Sequence, residues 1–238
     1  MTLNPPGPSH PRLEAAIFDY NGVIGLQPKR HDWQRLAALA GWPADQTADF
    51  ETAFWAHREP YDADQISTYA FWAQLLYGDL SAPPGSALLD TLCRTDTEMW
   101  TRTDQAVVSV LHAAHALGLR KILLLSNAPH PLADALDRTA WCNTLMSKTL
   151  YSSRLGVNRP ASKAYEAAIA AAGSDPDKTL FVDDRPENCR AAAQLGLRTL
   201  HFKGSSQVLA DHLARSQPRQ SGPASASSHT GQLTNAAL

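Results

Sequence analysis

Five short apolar segments, separated by stretches of helical periodicity, constrain the fold of this chain more than any other feature. The segments are residues 15–18, 121–125, 145–150, 179–182 and 198–202. An unbroken apolar run of this length indicates a strand that is covered on both faces, as in a parallel sheet. Strand and helix patterns alternate from residue 105 onward. The alternation therefore predicts a doubly wound α/β fold.

Helix start and stop signals agree with this alternation. Thr103 is placed to cap a helix that Gly118 ends. Ser162 opens another helix that ends at Gly173, and Pro186 stands where the first residue of a third helix belongs.

Residues 28–100 interrupt the alternation, because they hold helical patterns and five of the six tryptophans but no convincing strand. We interpret this segment as a helical insertion between the first and second strands, whose aromatic side chains mostly pack in its own core. The core domain would then comprise residues 12–27 and 101–213. The apolar helix faces of the insertion are Trp33, Leu36, Ala37 and Ala40, then Phe50, Phe54 and Trp55, then Tyr69, Trp72, Ala73 and Leu76.

The composition limits the possible binding partners and the cellular compartment of the protein. The two ends, residues 1–11 and 214–238, are predicted to be disordered because they hold few large apolar side chains. A net charge of −2 gives no electrostatic case for nucleic acid or an anionic membrane as a partner. No apolar run reaches the ~20 residues that span a bilayer, and residues 1–11 do not resemble a signal peptide. Three widely spaced cysteines favour a reducing compartment. We therefore expect a cytoplasmic protein, either a monomer or a homodimer.

Polar residues follow four of the predicted strands. Asp19 and Asn21 follow the first, Ser126 and Asn127 the second, Arg159 the third, and Asp183 and Asp184 the fourth. In open α/β sheets the ligand binds outside the carboxyl ends of the strands, so these residues should share one crevice. Each residue alone has a structural explanation, because an aspartate after a strand commonly forms a turn or caps a helix. The four groups together favour a functional site.

The residue types suggest what this site binds. Asp19, Asp183 and Asp184 would repel one another unless a cation neutralises them, and ligation by oxygen alone suits Mg²⁺. A magnesium ion with a basic residue, a hydroxyl and amide donors makes an anion site that phosphate fits best. Asp19 is then placed as a nucleophile that forms an aspartyl phosphate.

Four motifs resemble those of the haloacid dehalogenase-like hydrolase superfamily, in the branch with an α-helical cap. They are FDYNGV at 18–23, SN at 126–127, GVNRPASKAY at 156–165 and DDRPEN at 183–188. The resemblance implies a Rossmann-like core, residues 28–100 as the cap, Asp19 as nucleophile, and Ser126 and Asn127 as ligands of the phosphoryl oxygens. It also implies Mg²⁺ held by Asp19, the backbone carbonyl of Asn21 and Asp184, with Asp183 close by.

Two positions depart from the family pattern. Phosphatases of the family usually carry Asp where this chain has Asn21, and an amide cannot pass a proton to the leaving group. The family also expects Lys where this chain has Arg159, whose planar guanidinium differs in reach and geometry. Lys163 is an alternative base for steadying the phosphate, although its position favours a solvated helix residue.

The sequence therefore predicts a magnesium-dependent phosphohydrolase or phosphotransferase that acts on a small phosphorylated metabolite. One alternative is a phosphate-binding or partner-binding protein without catalysis, with Asn21 marking the lost activity. Another is a 2-haloacid dehalogenase, which the retained Asp183 and Asp184 argue against. The cap is expected to select the substrate, with residues 27–31 and 59–62 as candidates.

Overall fold

The computed structural model describes residues 12–78 and 84–215 of the chain. Its centre is a sheet of five parallel strands, which confirms the predicted doubly wound α/β fold. The strands are β1 (Ala15–Phe18), β2 (Lys121–Ser126), β3 (Lys148–Tyr151), β4 (Thr179–Asp183) and β5 (Arg198–His201). They lie side by side in the order β3-β2-β1-β4-β5.

Helices surround this sheet. The helices that the structure describes are α1 (Arg30–Leu39), α2 (Thr47–Asp62), α3 (Thr68–Tyr77), α4 (Ser86–Trp100), α5 (Gln105–Ala116), α6 (His130–Asp137), α7 (Ala140–Leu145), α8 (Ser152–Leu155), α9 (Ser162–Ala172), α10 (Pro186–Gln194) and α11 (Ser206–Arg215). None of these helices is both long enough and apolar enough to cross a membrane. Short 3₁₀ turns at Ala44–Gln46 and Pro176–Lys178 complete the described elements.

The two faces of the sheet pack into separate apolar clusters. Phe18 and Leu124 join the cluster that includes side chains of α5, α6, α11 and the inserted helices. Ile17 and Leu123 join a second cluster with side chains of α9 and α10. Successive strand residues therefore point to opposite faces, and both faces are covered. This double burial is the reason that the strands read as continuous apolar runs.

Three details differ from the sequence prediction. The third strand begins at Lys148, because Leu145 is the last residue of α7 rather than the first of the strand. The N-cap of α5 is Asp104 and not Thr103, since the Asp104 Oδ1 accepts hydrogen bonds from the N–H groups of Ala106 and Val107. Residues 214–215 belong to α11, whereas residues 1–11 and 216–238 lie outside the described part of the chain.

The chain enters and leaves the inserted helices through two paired segments. The N–H of Leu26 donates to the carbonyl of Arg102 at 2.8 Å, and the N–H of Asp104 donates to the carbonyl of Ile24 at 2.8 Å. The helices α1 to α4 lie between these segments. This junction is close to the ends of the expected cap at residues 28 and 100, and the cap as a separate domain stays a prediction.

Aromatic side chains fill the interior of the insertion. Trp33 meets Phe54 edge to face with 5.1 Å between ring centroids, and Phe54 meets Phe71 in the same way at 5.4 Å. Most of the predicted helix faces are buried, but Trp55 is 47% exposed and Tyr69 is 37% exposed. For these two residues the helical period placed the ring at the edge of the core.

The strand order fixes where a ligand can bind. In the centre of the sheet, Phe18 pairs with Leu124 on one side and with Val182 on the other. The connections run in opposite directions from this central strand, and a crevice opens outside the carboxyl ends of the strands at such a point. Asp19 follows Phe18 directly, between the ends of β2 and β4.

Candidate active site

Three carboxylates converge at this edge of the sheet. Asp19 follows β1, Asp183 ends β4 and Asp184 comes next, and one carboxylate oxygen from each lies within 4.8 Å of the other two. Asp19 and Asp183 are buried, and Asp184 is partly buried. Neighbouring parallel strands that end at the same level bring these residues together. The sequence could therefore place them in one crevice without knowledge of the tertiary structure.

Arg159 lies between two of these acids. Its Nη2 donates to Asp19 Oδ1 at 2.6 Å, and its Nη1 donates to Asp183 Oδ2. The guanidinium is buried and reaches both carboxylates at once, which an ammonium group does less well because it lacks the planar fork. Arg159 therefore lies next to Asp19, where the sequence predicted a basic residue.

The electrostatics of the cluster leave it with excess negative charge. Burial raises the pKa of all three carboxyl groups, that of Asp183 to about 6. The charge of a neighbouring aspartate adds to the rise in each case, while Arg159 opposes it. One buried guanidinium cannot neutralise three carboxylates, and Arg185, which also lowers the pKa of Asp184, has a side chain that is 65% exposed. The cluster is thus ready to accept a further cation, and its all-oxygen donors fit Mg²⁺.

Asn127 holds Arg159 in place. The Asn127 Oδ1 accepts from the N–H of Arg159 at 2.9 Å, and its Nδ2 donates to the Arg159 carbonyl at 3.0 Å. The side chain after β2 therefore fixes the backbone of the loop that carries the guanidinium. One proton of Nδ2 remains for a phosphoryl oxygen, which is the role that the family resemblance implies.

Ser126 carries a buried hydroxyl that has no hydrogen-bond partner among the described residues. The residue ends β2 and is 1% exposed. Leaving such a group unpaired typically costs about 1–3 kcal/mol, so its position calls for a bound partner. The hydroxyl lies in the same cleft as Asp19. A ligand oxygen in that cleft would satisfy it.

The turn after Asp19 brings Asn21 and Gly22 to the cluster. The carbonyl of Tyr20 accepts from the N–H groups of Ile24 and Gly25, which closes the turn tightly. The side chain of Asn21 lines the cleft, and its Oδ1 is buried without a partner among the described residues. Gly22 has a φ of +82°, and a Cβ on it would lie 2.1 Å from Asp184 Oδ2. The glycine therefore lets Asp184 lie against the turn.

We expect Gly22→Ala to weaken Mg²⁺ binding by at least about tenfold, because the methyl group displaces the Asp184 carboxylate. Gly41→Ala is the matched control, since Gly41 has a φ of +78° and open space around its Cβ position. Both variants should lose about 1–2 kcal/mol of unfolding free energy from the left-handed backbone alone. Calorimetric titration with Mg²⁺ and urea denaturation measure the two effects. Equal Mg²⁺ affinity in the two variants would contradict the prediction that Asp184 is a ligand of Mg²⁺.

The inserted helices complete the cleft, whose volume is about 200 Å³. Its lining residues are Asp19, Asn21, Gln27, Trp55, Arg58, Asp62, Trp100, Ser126, Asn127, Arg159, Asp184, Arg185 and Asn188. Gln27 and Asp62 belong to the two segments that the sequence proposed for substrate selection. Arg30 and His31, from the first of those segments, are exposed and are not part of this lining.

Sequence reasoning missed several residues of the cleft and left open whether Arg159 or Lys163 is the base beside the carboxylates. Trp55, Arg58 and Trp100 gave no signal, because helical periodicity marks aromatic and long side chains as core whether or not a cleft is nearby. Lys163, the alternative base, is exposed in the first turn of α9 and is not part of the lining. The structure thus brings Arg159 and not Lys163 to the carboxylates.

Comparison with known proteins agrees with this geometry. The sequence model of the haloacid dehalogenase-like hydrolases matches residues 13–196. The chain therefore belongs to the haloacid dehalogenase-like hydrolase family, and the predicted hydrolase class is confirmed.

Relatives with an assigned activity include phosphatases. The GMP/IMP nucleotidase YrfG of Escherichia coli is 26% identical over 193 residues, which cover 78% of this chain and 81% of the nucleotidase. Sesquiterpene phosphatase astK of Aspergillus oryzae is 25% identical over 193 residues, which cover 81% of this chain and 91% of astK. These similarities support a phosphatase-like function.

A solved structure shares the fold. The HAD family enzyme bt-2542 of Bacteroides thetaiotaomicron, solved with magnesium and inorganic phosphate, matches with a TM-score of 0.63 at 17% identity. The match covers 81% of this chain and 96% of that enzyme. At this identity the comparison supports the α/β fold alone.

Proposed function

We propose that this protein is a magnesium-dependent phosphohydrolase or phosphotransferase that acts on a small phosphorylated metabolite through Asp19. The observation that carries the proposal is a cluster of three carboxylates, of which Asp19 and Asp184 line the same cleft as Ser126, whose buried hydroxyl is unpaired among the described residues. A dehalogenase would attack carbon and needs no metal site, so it gives no reason for the clustered Asp183 and Asp184. The carboxylates instead fit a cation with an oxyanion beside it.

The residues present fit Mg²⁺ by donor type and by charge. Asp19, Asp184 and the backbone carbonyl of Asn21 would hold the ion, with Asp183 close by. When bound, magnesium neutralises the phosphoryl oxygens and so lowers the electrostatic barrier to attack by a carboxylate. The cluster of three carboxylates, of which Arg159 pairs with Asp19 and Asp183, is the feature of this chain that favours such an ion.

Asp19 is arranged for nucleophilic attack. Its Oδ1 accepts from the N–H of Tyr20 and from Arg159 Nη2, both at 2.6 Å. Within the described residues no hydrogen bond ends on Oδ2, so this oxygen is available to attack phosphorus. Ser126 Oγ and the remaining proton of Asn127 Nδ2 would donate to the phosphoryl oxygens. Arg159 fixes the direction of the carboxylate through the opposite oxygen.

Asn21 limits the chemistry at the leaving group. Its amide can donate a hydrogen bond to a leaving oxygen but cannot transfer a proton to it at neutral pH. Acyl phosphates and sugar 1-phosphates, which leave with less help, should therefore be better substrates than alkyl phosphates unless another acid is present. The same residue also fits a second candidate function, in which the protein binds phosphate without turnover.

A substrate panel tests the proposal. Hydrolysis of acyl phosphates, sugar phosphates and nucleotides is measured with Mg²⁺ and again with a chelator. We expect magnesium-dependent release of phosphate from at least one activated substrate. Phosphate binding by calorimetry with no turnover of any panel member would favour the second candidate function. Neither turnover nor phosphate binding would overturn both.

Trp55 provides a specific expectation about the leaving group. Its ring is 47% exposed and lines the cleft beside Trp100, with 5.7 Å between the ring centroids. An aromatic leaving group could stack on it, and the relative YrfG is named for nucleotides, which carry such a group. We expect Trp55→Ala to raise KM for nucleotides by roughly 5- to 150-fold, since base stacking contributes about 1–3 kcal/mol.

A matched control separates stacking from general surface effects. Tyr77 is 50% exposed on α3 and does not line the cleft, so Tyr77→Ala should leave KM unchanged. Acetyl phosphate, which has no ring, should show little change with Trp55→Ala. An equal rise in KM for nucleotides and acetyl phosphate would contradict a stacking role.

A further inference from the structure

Asp62 lines the same cleft as Asp19 and Asn21, although it belongs to the inserted helices. Asp62 is the last residue of α2. The carbonyl of Asp62 accepts a hydrogen bond from Ser152 Oγ at 2.6 Å. Ser152 Oγ in turn accepts a hydrogen bond from the N–H of Ala128 at 2.9 Å. Ala128 is two residues beyond Ser126. The end of α2 is therefore fixed against the loop that follows β2.

A second contact fixes the same helix end to the loop of Arg159. Asn158 Nδ2 donates to the carbonyl of Glu59 at 2.7 Å. The contacts with Ser152 and Asn158 come from the two core segments that shape the phosphate site. These backbone contacts hold the end of α2, and with it Asp62, at the edge of the cleft.

Asp62 shares one cation with another buried acid. Arg58 Nε donates to Asp62 Oδ1 at 2.7 Å, and Arg58 Nη1 donates to both oxygens of Asp96, at 2.9 and 3.2 Å. The charged groups that face Asp62 are therefore Arg58, Asp96 and Glu59. Two carboxylates with one guanidinium leave one negative charge in a buried setting. Among the described residues, no hydrogen bond ends on Asp62 Oδ2.

The charge balance makes Asp62 a proton-exchanging group. Burial raises the pKa of Asp62 to about 6, Arg58 opposes this rise, and Asp96 and Glu59 add to it. A group whose pKa lies near the operating pH is the most efficient general acid and base. Asn21 lacks that capacity, whereas Asp62 has it and lies in the same cleft.

We propose that Asp62 is the general acid and base of the reaction, in place of the carboxylate that Asn21 lacks. This inference rests on the proposed phosphotransfer function of Asp19. It assigns the proton transfer to the inserted helices, so that the core supplies the nucleophile and the insertion supplies the acid.

The reaction would proceed in two half-reactions. Asp19 Oδ2 forms a bond to phosphorus, the bond from phosphorus to the leaving oxygen breaks, and the proton of Asp62 moves to that oxygen. Asp62 is then a carboxylate. Water next attacks phosphorus and gives a proton to Asp62, while the bond from phosphorus to Asp19 breaks. The products are an alcohol and inorganic phosphate, and both carboxyl groups return to their starting states.

The Asp62→Asn variant tests this role, because the amide keeps the shape and the acceptor for Arg58 but carries no transferable proton. We expect kcat/KM for an alkyl phosphate to fall by about 10²–10⁴-fold. For acetyl phosphate we expect a fall of less than about 10-fold, since its leaving group needs no proton. Because the water-activating base is also lost, phosphorylated Asp19 should accumulate with acetyl phosphate and be visible by intact-mass measurement.

A pH profile gives a second readout that a merely structural role would not change. In the wild-type protein, kcat/KM for an alkyl phosphate should fall as the pH rises above about 6, because Asp62 loses its proton. This descending limb should be absent with acetyl phosphate and absent in Asp62→Asn. The ionisation of the substrate phosphate is common to both proteins and does not affect their comparison. The comparison of the two substrates in the wild-type protein can be made even if a variant does not fold.

Asp96→Asn is the matched control, since Asp96 pairs with the same Arg58 but does not line the cleft. It keeps the transferable proton of Asp62, so kcat/KM for the alkyl phosphate should fall by less than about 10-fold, and the descending limb should move to lower pH because Asp96 no longer raises the pKa of Asp62. An equal loss for both substrates in Asp62→Asn, or an unchanged descending limb, would overturn the assignment of Asp62 while leaving Asp19 in place. Absence of turnover in the wild-type protein would overturn the proposed function and this inference together.

Discussion

Replacing Asp19 with Asn should reduce turnover of every substrate by about 10⁴-fold or more, while the protein still folds and still binds phosphate. The amide cannot form a covalent phosphoryl intermediate, because its nitrogen and its neutral oxygen are poor nucleophiles. It keeps a hydrogen-bond acceptor for the N–H of Tyr20 and for Arg159. The measurement is kcat/KM on the best activated phosphate in saturating Mg²⁺, with circular dichroism to verify folding.

Asp177→Asn is the control for this variant. Asp177 is exposed near β4 and is not part of the cleft, so its substitution should leave kcat/KM within about twofold of the wild type. Intact-mass measurement after brief exposure to acetyl phosphate should show a phosphoryl adduct in the wild-type protein and none in Asp19→Asn. Residual activity above one hundredth of the wild type would show that Asp19 is not the nucleophile.

Much of this site could be predicted because it depends on adjacency in the sheet. Asp19 and Asp183 stand directly after paired residues of β1 and β4, so identifying the two strands was sufficient to place the carboxylates together. The same reasoning placed Ser126 at the end of β2. Parallel strands end at a common edge, and short apolar runs are readable without any tertiary information.

The contribution of the inserted helices could not be predicted in the same way. Arg58 pairs with Asp96, which is 38 residues distant and on another helix. Packing between helices creates that contact, and neither residue breaks the helical pattern around it. The choice between Arg159 and Lys163 was also undecidable, because both are cations four residues apart. The structure shows that α9 begins at Ser162, so that Lys163 lies on an exposed turn and Arg159 lies in the loop before it.

Loss of Arg159 should strongly destabilise the protein. Arg159 is 7% exposed and its guanidinium pairs with Asp19 and Asp183, so Arg159→Met would leave two buried carboxylates without their cationic partner. Removal of one member of a buried pair typically costs about 3–5 kcal/mol. We expect a loss of that size in urea denaturation at pH 8 without Mg²⁺. Arg159→Lys keeps the charge but not the fork, and should lose clearly less.

A second arginine gives the matched comparison. Arg154 pairs with Asp134 and Asp137, but its side chain is 37% exposed. Arg154→Met should therefore lose only about 0–1 kcal/mol, because solvent screens surface pairs. If the two methionine variants lost the same free energy, burial of the Arg159 pairs would not be the cause of their effect.

The dependence on pH and on magnesium identifies the cause as charge. In the folded protein the pKa of Asp183 is about 6, above the usual value of 3.8 for an aspartate in an unfolded chain. The folded state therefore binds more protons than the unfolded state between these values, and the contribution of Asp183 to stability falls as the pH rises from about 3.8 to about 6. Without Arg159 the buried carboxyl groups hold their protons more tightly. The difference in unfolding free energy between wild type and Arg159→Met should be small at pH 5 and reach its full size at pH 8.

Added Mg²⁺ should reduce this difference in unfolding free energy at pH 8, because a divalent cation replaces part of the positive charge that the variant has lost. A difference that is independent of both pH and Mg²⁺ would mean that Arg159 stabilises the fold by packing and not by neutralising the carboxylates.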